Sequence, residues 1–143
     1  MSDFRKLSDR FFASPQVSAR DIAEAAAMGV TLVINNRPDG EAPDQPEGAE
    51  IAAAARAAGM DYIAIPVTGA GFSEPQVDAL SKALAATSGP VLGFCRSGTR
   101  STLLWSLAAA KQGADPDTIA RAAAQAGYDV SPIRPMIDML AAR

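Results

Sequence analysis

The chain contains no histidine. That absence removes the commonest metal ligand, the Ser-His-Asp triad, and the cysteine–histidine pair in which imidazole activates a thiol. Cysteine occurs once, as Cys95, which excludes an internal disulfide framework and a cysteine-rich metal site. An excess of positive charge is also missing. With 13 Lys and Arg against 16 Asp and Glu, the formal net charge is −3, and nucleic acid or an anionic membrane needs a basic face instead. No apolar run is long enough to cross a bilayer, and Met1-Ser2-Asp3-Phe4-Arg5-Lys6 lacks the apolar core of a signal peptide. A lone free thiol with no export signal predicts a reducing, cytoplasmic setting.

The length of 143 residues, 48% of them hydrophobic, predicts one domain over residues 1–143 with a proper core. Residues 11–17, Phe-Phe-Ala-Ser-Pro-Gln-Val, read as an edge strand because Pro15 is tolerated there and not centrally. Ser18 is placed to cap a helix over 19–28 that Gly29 ends. The apolar, β-branched stretch 30–35 predicts a buried strand, the alanine-rich 49–58 a helix closed by Gly59, and 61–67 a third strand. Ser73 opens a helix through Ala86, 90–94 is the last strand, and helices follow over 101–112, from Asp115 to Ala126, and from Ser131 to the C-terminus. Strands alternating with helices imply an α/β fold, a mostly parallel sheet flanked by helices. Ligands of such sheets bind beyond the carboxyl ends of the strands. The segments 36–41, 68–72 and 95–100 all fall at that end.

Within the last of these, the apolar Pro90-Val91-Leu92-Gly93-Phe94 gives way at Cys95 to Arg96-Ser97-Gly98-Thr99-Arg100-Ser101. A strand ending in a tight loop before a helix turns successive backbone N–H groups, and the positive end of the helix dipole, toward one anion. The same field stabilises a thiolate. A core cysteine would be followed by apolar residues or an ordinary turn, so Cys95 is read as a nucleophile. Trp105, spaced with Leu104 and Leu107, is read as core, and Tyr128 and the cluster Met136-Ile137-Met139-Leu140 as core or packing surface.

The run Cys95-Arg96-Ser97-Gly98-Thr99-Arg100-Ser101 resembles the active-site loop of rhodanese-type sulfurtransferases. Together with Asn35-Asn36-Arg37-Pro38-Asp39-Gly40-Glu41 and Ile65-Pro66-Val67, it makes nearly the whole chain similar to the phosphatase-like domain found alone or fused to β-lactamase-like hydrolases. The resemblance implies the fold of small dual-specificity phosphatases. It leaves two reactions open. Four residues separate Cys95 from Arg100, one fewer than in phosphotyrosine-type phosphatases, and position 94 is Phe where those usually carry His. Thr68 stands where their general acid is expected, and a hydroxyl is no acid. Asp39 is a second acid candidate, although Arg37-Pro38-Asp39-Gly40 also reads as an ordinary turn.

These departures favour sulfur transfer. A Cys95 persulfide would receive sulfane sulfur from thiosulfate or a low-molecular-weight persulfide and pass it to a thiol or cyanide. The alternative is a cysteine-dependent phosphatase, and the third reading is a noncatalytic module sensing anions or persulfides beside a β-lactamase-like hydrolase partner. In all three, Cys95 and Arg100 are central, with Arg96, Ser97, Gly98, Thr99 and Ser101 around the anion and Arg37, Asp39 and Thr68 as second-loop candidates. No cofactor or metal is called for. For Arg37 an exposed ion pair with Asp39 or Glu41 is expected.

Overall fold

A computed structural model describes residues 2–143. Five strands form one sheet in the order β1-β2-β5-β3-β4, with β1 Arg5–Ser8, β2 Phe11–Ser14, β3 Leu32–Asn35, β4 Asp61–Ala64 and β5 Val91–Phe94. β2, β5, β3 and β4 run parallel, and β1 returns antiparallel on β2. Helices α1 Ala19–Ala27, α2 Gly48–Ala57, α3 Glu74–Ala85, α4 Thr99–Lys111, α5 Pro116–Gln125 and α6 Arg134–Ala141 cover it, a 3-10 turn over Ser131–Ile133 leading into α6. This is the α/β arrangement that the alternating pattern implies. No helix among the described residues is long and apolar enough to cross a membrane.

The parallel strands are short and apolar because both their faces are covered. Every residue of β3 and β5 is buried. Period-two alternation divides β5 between two cores. Leu92 and Phe94 pack with Val17, Ile22, Val33 and Ile51 under α1 and α2. Val91 joins Phe11, Ile34, Leu104, Leu107 and Ile137 under the remaining helices. Each such side chain contributes about 1.5–3 kcal/mol through burial. Phe11 lies across Gly93, where an added Cβ would stand 2.7 Å from the ring. Its ring centroid is 6.3 Å from that of Trp105, which packs against this core as its spacing predicts.

Two expectations change. The Phe11 strand is not an edge: β2 lies between β1 and β5, and Pro15 falls just past its end, where a missing N–H costs the ladder nothing. The edge is instead β1, unforeseen because Arg5-Lys6-Leu7-Ser8 carries only one buried apolar residue, Leu7. The second change is at α4, which starts at Thr99 rather than Ser101. Side chains cap α1 and α5, where Ser18 and Asp115 accept from the backbone N–H of Asp21 and Thr118 at 3.3 and 3.0 Å. The N-cap of α4 is Gly98, which has no side chain to offer. Of its first-turn donors the Thr99 N–H is met by Ser97 Oγ at 3.3 Å, while those of Arg100 and Ser101 make no bond among the described residues and stay open to an outside acceptor.

Candidate active site

β2, β3 and β5 end level, with Ser14 and Asn35 each opposite Phe94. Cys95 follows immediately, its N–H donating to the Ser14 carbonyl at 3.3 Å. Its side chain is fully buried, and Sγ accepts a hydrogen bond from the Gly98 N–H at 3.1 Å. To bring that N–H back over the sulfur, Gly98 takes φ 92°, a left-handed conformation that L side chains rarely adopt. A Cβ there would also run into the Tyr128 hydroxyl. The Gly98 carbonyl accepts from the Thr102 N–H and from Thr102 Oγ1, both at 2.9 Å. Ser97 Oγ donates to Thr99 Oγ1 at 2.9 Å and accepts from the Thr99 N–H at 3.3 Å. The N–H groups of Arg96, Ser97, Arg100 and Ser101 make no hydrogen bond among the described residues.

Arg100, in the first turn of α4, reaches back across both neighbouring loops. Its Nη1 donates to Glu41 Oε2 at 2.7 Å and to the Val67 carbonyl at 2.8 Å, and Nη2 donates to Glu41 Oε1 at 2.8 Å. Three of the five guanidinium donors are thereby used. The two left are Nε–H and the second hydrogen of Nη2, which lie side by side along one edge in the spacing of two oxyanion oxygens. The hydrogen bonds of Glu41 and the neighbouring Cys95 both raise the pKa of Arg100, against an opposing push from burial.

Glu41 ties the second arginine in as well. Arg37 Nε donates to Glu41 Oε1 at 3.0 Å and Nη1 to Gln16 Oε1 at 3.0 Å. The hydrogen bonds of Arg100, then those of Arg37, hold the Glu41 carboxyl down at about 2, against the opposing push of burial. It is a carboxylate at any neutral pH. The expectation of an exposed ion pair for Arg37 is corrected here, since its side chain is only 5% exposed. Its burial is tolerable because Glu41 and Gln16 meet the guanidinium. Arg96, by contrast, is exposed, and its side chain makes no hydrogen bond or salt bridge among the described residues.

The remaining candidates separate. Asp39 Oδ1 accepts from the Gly48 N–H at 2.8 Å, and so caps α2, whose own N-cap Glu47 makes no side-chain bond. Asp39 thus bonds to backbone, as the turn reading expects, but to the start of α2 nine residues on rather than within its own turn. Thr68 is exposed and accepts from the Ala70 N–H at 3.2 Å. Ser101 was expected beside the anion, but its hydroxyl donates to Asn36 Oδ1 at 2.7 Å in a fully buried bond. Asn36 Nδ2 in turn donates to the Ile65 carbonyl at 2.9 Å. Only the backbone N–H of Ser101 remains open. Among the described residues no group of three or more His, Cys, Asp or Glu is placed to hold a metal ion.

Two residues of this site, Asn36 and Tyr128, have no role in the sequence reading, and Glu41 figures there only as a partner for Arg37. Asn36 and Glu41 lie in the Asn-Asn-Arg-Pro-Asp-Gly-Glu run, but their partners are 65 and 59 residues away in the chain. The four-residue step from Arg37 to Glu41 was the one available signal. Tyr128 is buried in the core as expected, and its hydroxyl in addition donates to the Ser97 carbonyl at 3.0 Å, to which no sequence pattern points.

Residues 3–112 match the family described as "Beta-lactamase hydrolase-like protein, phosphatase-like domain". A "Beta-lactamase hydrolase-like protein" of Xylella fastidiosa (strain Temecula1) is 40% identical over 101 residues, which is 71% of this chain and 23% of that protein. The chain thus spans about a quarter of the length of the curated relatives it matches. A crystal structure from Neisseria meningitidis Z2491, described as that of a candidate phosphatase, superposes with a TM-score of 0.86 at 32% identity, covering 98% of this chain and 99% of the other. Tk-PTP in its active form shares the fold, with a TM-score of 0.76 at 16% identity and coverage of 99% and 97%.

These similarities overturn the preference for sulfur transfer: the matching family is phosphatase-like, and the Neisseria structure of 32% identity is likewise described as a candidate phosphatase. The residues from Cys95 to Arg100 do not all belong to the loop. Thr99 and Arg100 already belong to α4, so the helix, not the count of loop residues, sets how the arginine meets the anion. With a cysteine loop, an uncapped α4 and a fork of arginine donors at the carboxyl end of this sheet, the chain belongs to the family of phosphatase-like domains of β-lactamase hydrolase-like proteins.

Proposed function

We propose that the domain is a cysteine-dependent phosphatase acting on phosphate monoesters. The observation that carries this reading is the set of unused donors around Cys95: the side-on edge of Arg100 and the N–H groups of Arg96, Ser97, Arg100 and Ser101. Sulfur attacks phosphorus while these donors hold the nonbridging oxygens, the ester oxygen leaves with its bonding pair, and Cys95 carries the phosphoryl group. Water then attacks phosphorus, phosphate departs and the thiolate returns. Preorganised donors that cost no reorientation during reaction are the main source of rate in such a site. Cys95 has no exposed surface, so the substrate reaches the sulfur as part of its cover gives way.

The leaving oxygen finds no proton. Glu41 is ionised, Asp39 is committed to the Gly48 N–H, and Thr68 offers a hydroxyl. Substrates whose leaving group is already a stable anion are therefore favoured, and aryl phosphates outrank alkyl phosphates. Across a series of substituted phenyl phosphates, kcat/KM should fall steeply as the phenol becomes less acidic. The weakest leaving groups should lose about 10²-fold relative to p-nitrophenyl phosphate, the low end of what a general acid supplies. A flat series would mean that a proton donor acts and that this reading of the three carboxyl and hydroxyl candidates is wrong. The segments matched, 101 and 108 residues, are only 23% and 25% of the curated relatives, which supports the further reading that the domain works beside a β-lactamase-like hydrolase. Its single free thiol supports a cytoplasmic setting.

A further inference from the structure

We propose that Tyr128 is a positioning residue for the nucleophile, acting through a single peptide unit. Its hydroxyl donates to the Ser97 carbonyl at 3.0 Å. The N–H of that same Ser97–Gly98 peptide donates to Cys95 Sγ at 3.1 Å. The phenol, the peptide and the sulfur therefore form one chain of hydrogen bonds, all running in the same direction. A donor on the carbonyl oxygen polarises the amide and strengthens the bond that its N–H makes at the other end. It also fixes the plane of the peptide, which Gly98 at φ 92° would otherwise leave free to rotate.

Everything around Tyr128 keeps the phenol in this role. Arg5 from β1 stacks its guanidinium over the ring, 5.0 Å from the centroid, and anchors itself through Nη1 to the Ala126 carbonyl. Burial holds the Tyr128 hydroxyl above its ordinary value, opposed by Arg5, so it remains a donor across the neutral range. The charged and titratable groups facing the chain of bonds are few. Arg100 from α4 stands beside the sulfur, Arg5 faces the phenol, and Asp3, hydrogen-bonded to Arg5, lies behind it. Tyr128 belongs to the segment after α5, outside residues 3–112 that match the family. The proposal places this C-terminal segment in the machinery of the site.

This inference rests on Cys95 being the nucleophile of the proposed reaction, but alkylation reads the thiol with no phosphate ester present, so the two fail separately. In Tyr128→Phe only the hydroxyl is lost and the ring keeps its packing under Arg5. Loss of one hydrogen bond of ordinary strength should slow iodoacetamide alkylation of Cys95 about five-fold near pH about 6. Near pH about 9.5, where thiols ionise without help, the rates should converge. A loss of packing alone would change both pH regions equally. Installing a monofluorinated tyrosine at position 128, a stronger donor that is still protonated near pH about 6, should shift alkylation in the opposite direction. This second variant keeps the ring and the hydrogen bond, so it decides the matter even if Tyr128→Phe folds poorly. A pH profile that neither variant moves would overturn the proposal and leave Tyr128 a packing residue.

Discussion

Cys95→Ser should abolish turnover of p-nitrophenyl phosphate, lowering kcat by at least about 10³-fold, while phosphate still binds as a competitive ligand. A serine hydroxyl is a nucleophile only when something takes its proton, and this chain has no histidine to do so. Nothing else near Cys95 substitutes: Glu41 is engaged by two arginines and Asp39 by the start of α2. The donors proposed to hold the anion are on the backbone and on Arg100, and the substitution leaves both in place. Steady-state kinetics together with calorimetric titration of phosphate separates the two effects. A serine variant with near-parental turnover would move the chemistry to another residue.

Arg100→Lys keeps the charge and should still lower kcat about 10²-fold. From one plane the guanidinium grips Glu41 end-on and caps the Val67 carbonyl, and its remaining edge stays free. An ammonium has three donors on one atom and cannot keep the Glu41 and Val67 bonds while also offering a paired edge to two oxygens. Because the pairing matters most as charge builds on the phosphoryl oxygens, kcat suffers more than KM. Arg96→Lys provides the contrast. That side chain is exposed and makes no hydrogen bond among the described residues, so a point charge serves as well and turnover stays near the parental value. Unchanged turnover in Arg100→Lys would show that the free edge is not what holds the transferring group.

Much of the architecture was readable from periodicity. Strands of β-branched and apolar residues alternate with alanine-rich helices whose starts carry Ser18, Ser73 and Asp115, and an α/β sheet follows from that order. β1 was hidden because an edge strand has one wet face and protects itself with charge, here Arg5 and Lys6, leaving only Leu7 to signal a core. The cysteine loop was readable because strand, turn glycine and helix are contiguous, so local chemistry sufficed. Its surroundings were not. Glu41, Asn36 and Tyr128 act on the loop through bonds that span 59, 65 and 31 residues, and one sequence offers no pattern for pairings of that kind. Arg37 was misread for a related reason: whether an arginine pairs in water or under cover depends on what the fold brings over it, here Gln16 from beyond β2.

The central claim is that phosphorus is transferred to Cys95 sulfur. It is tested most directly by mixing the protein with p-nitrophenyl phosphate, quenching with denaturant during turnover, and mapping the product by mass spectrometry. The expected result is one phosphoryl group on Cys95, formed as nitrophenolate is released, and absent from Cys95→Ser. Nitrophenolate released with no phosphoryl group on Cys95, or with the group on another residue, would contradict it.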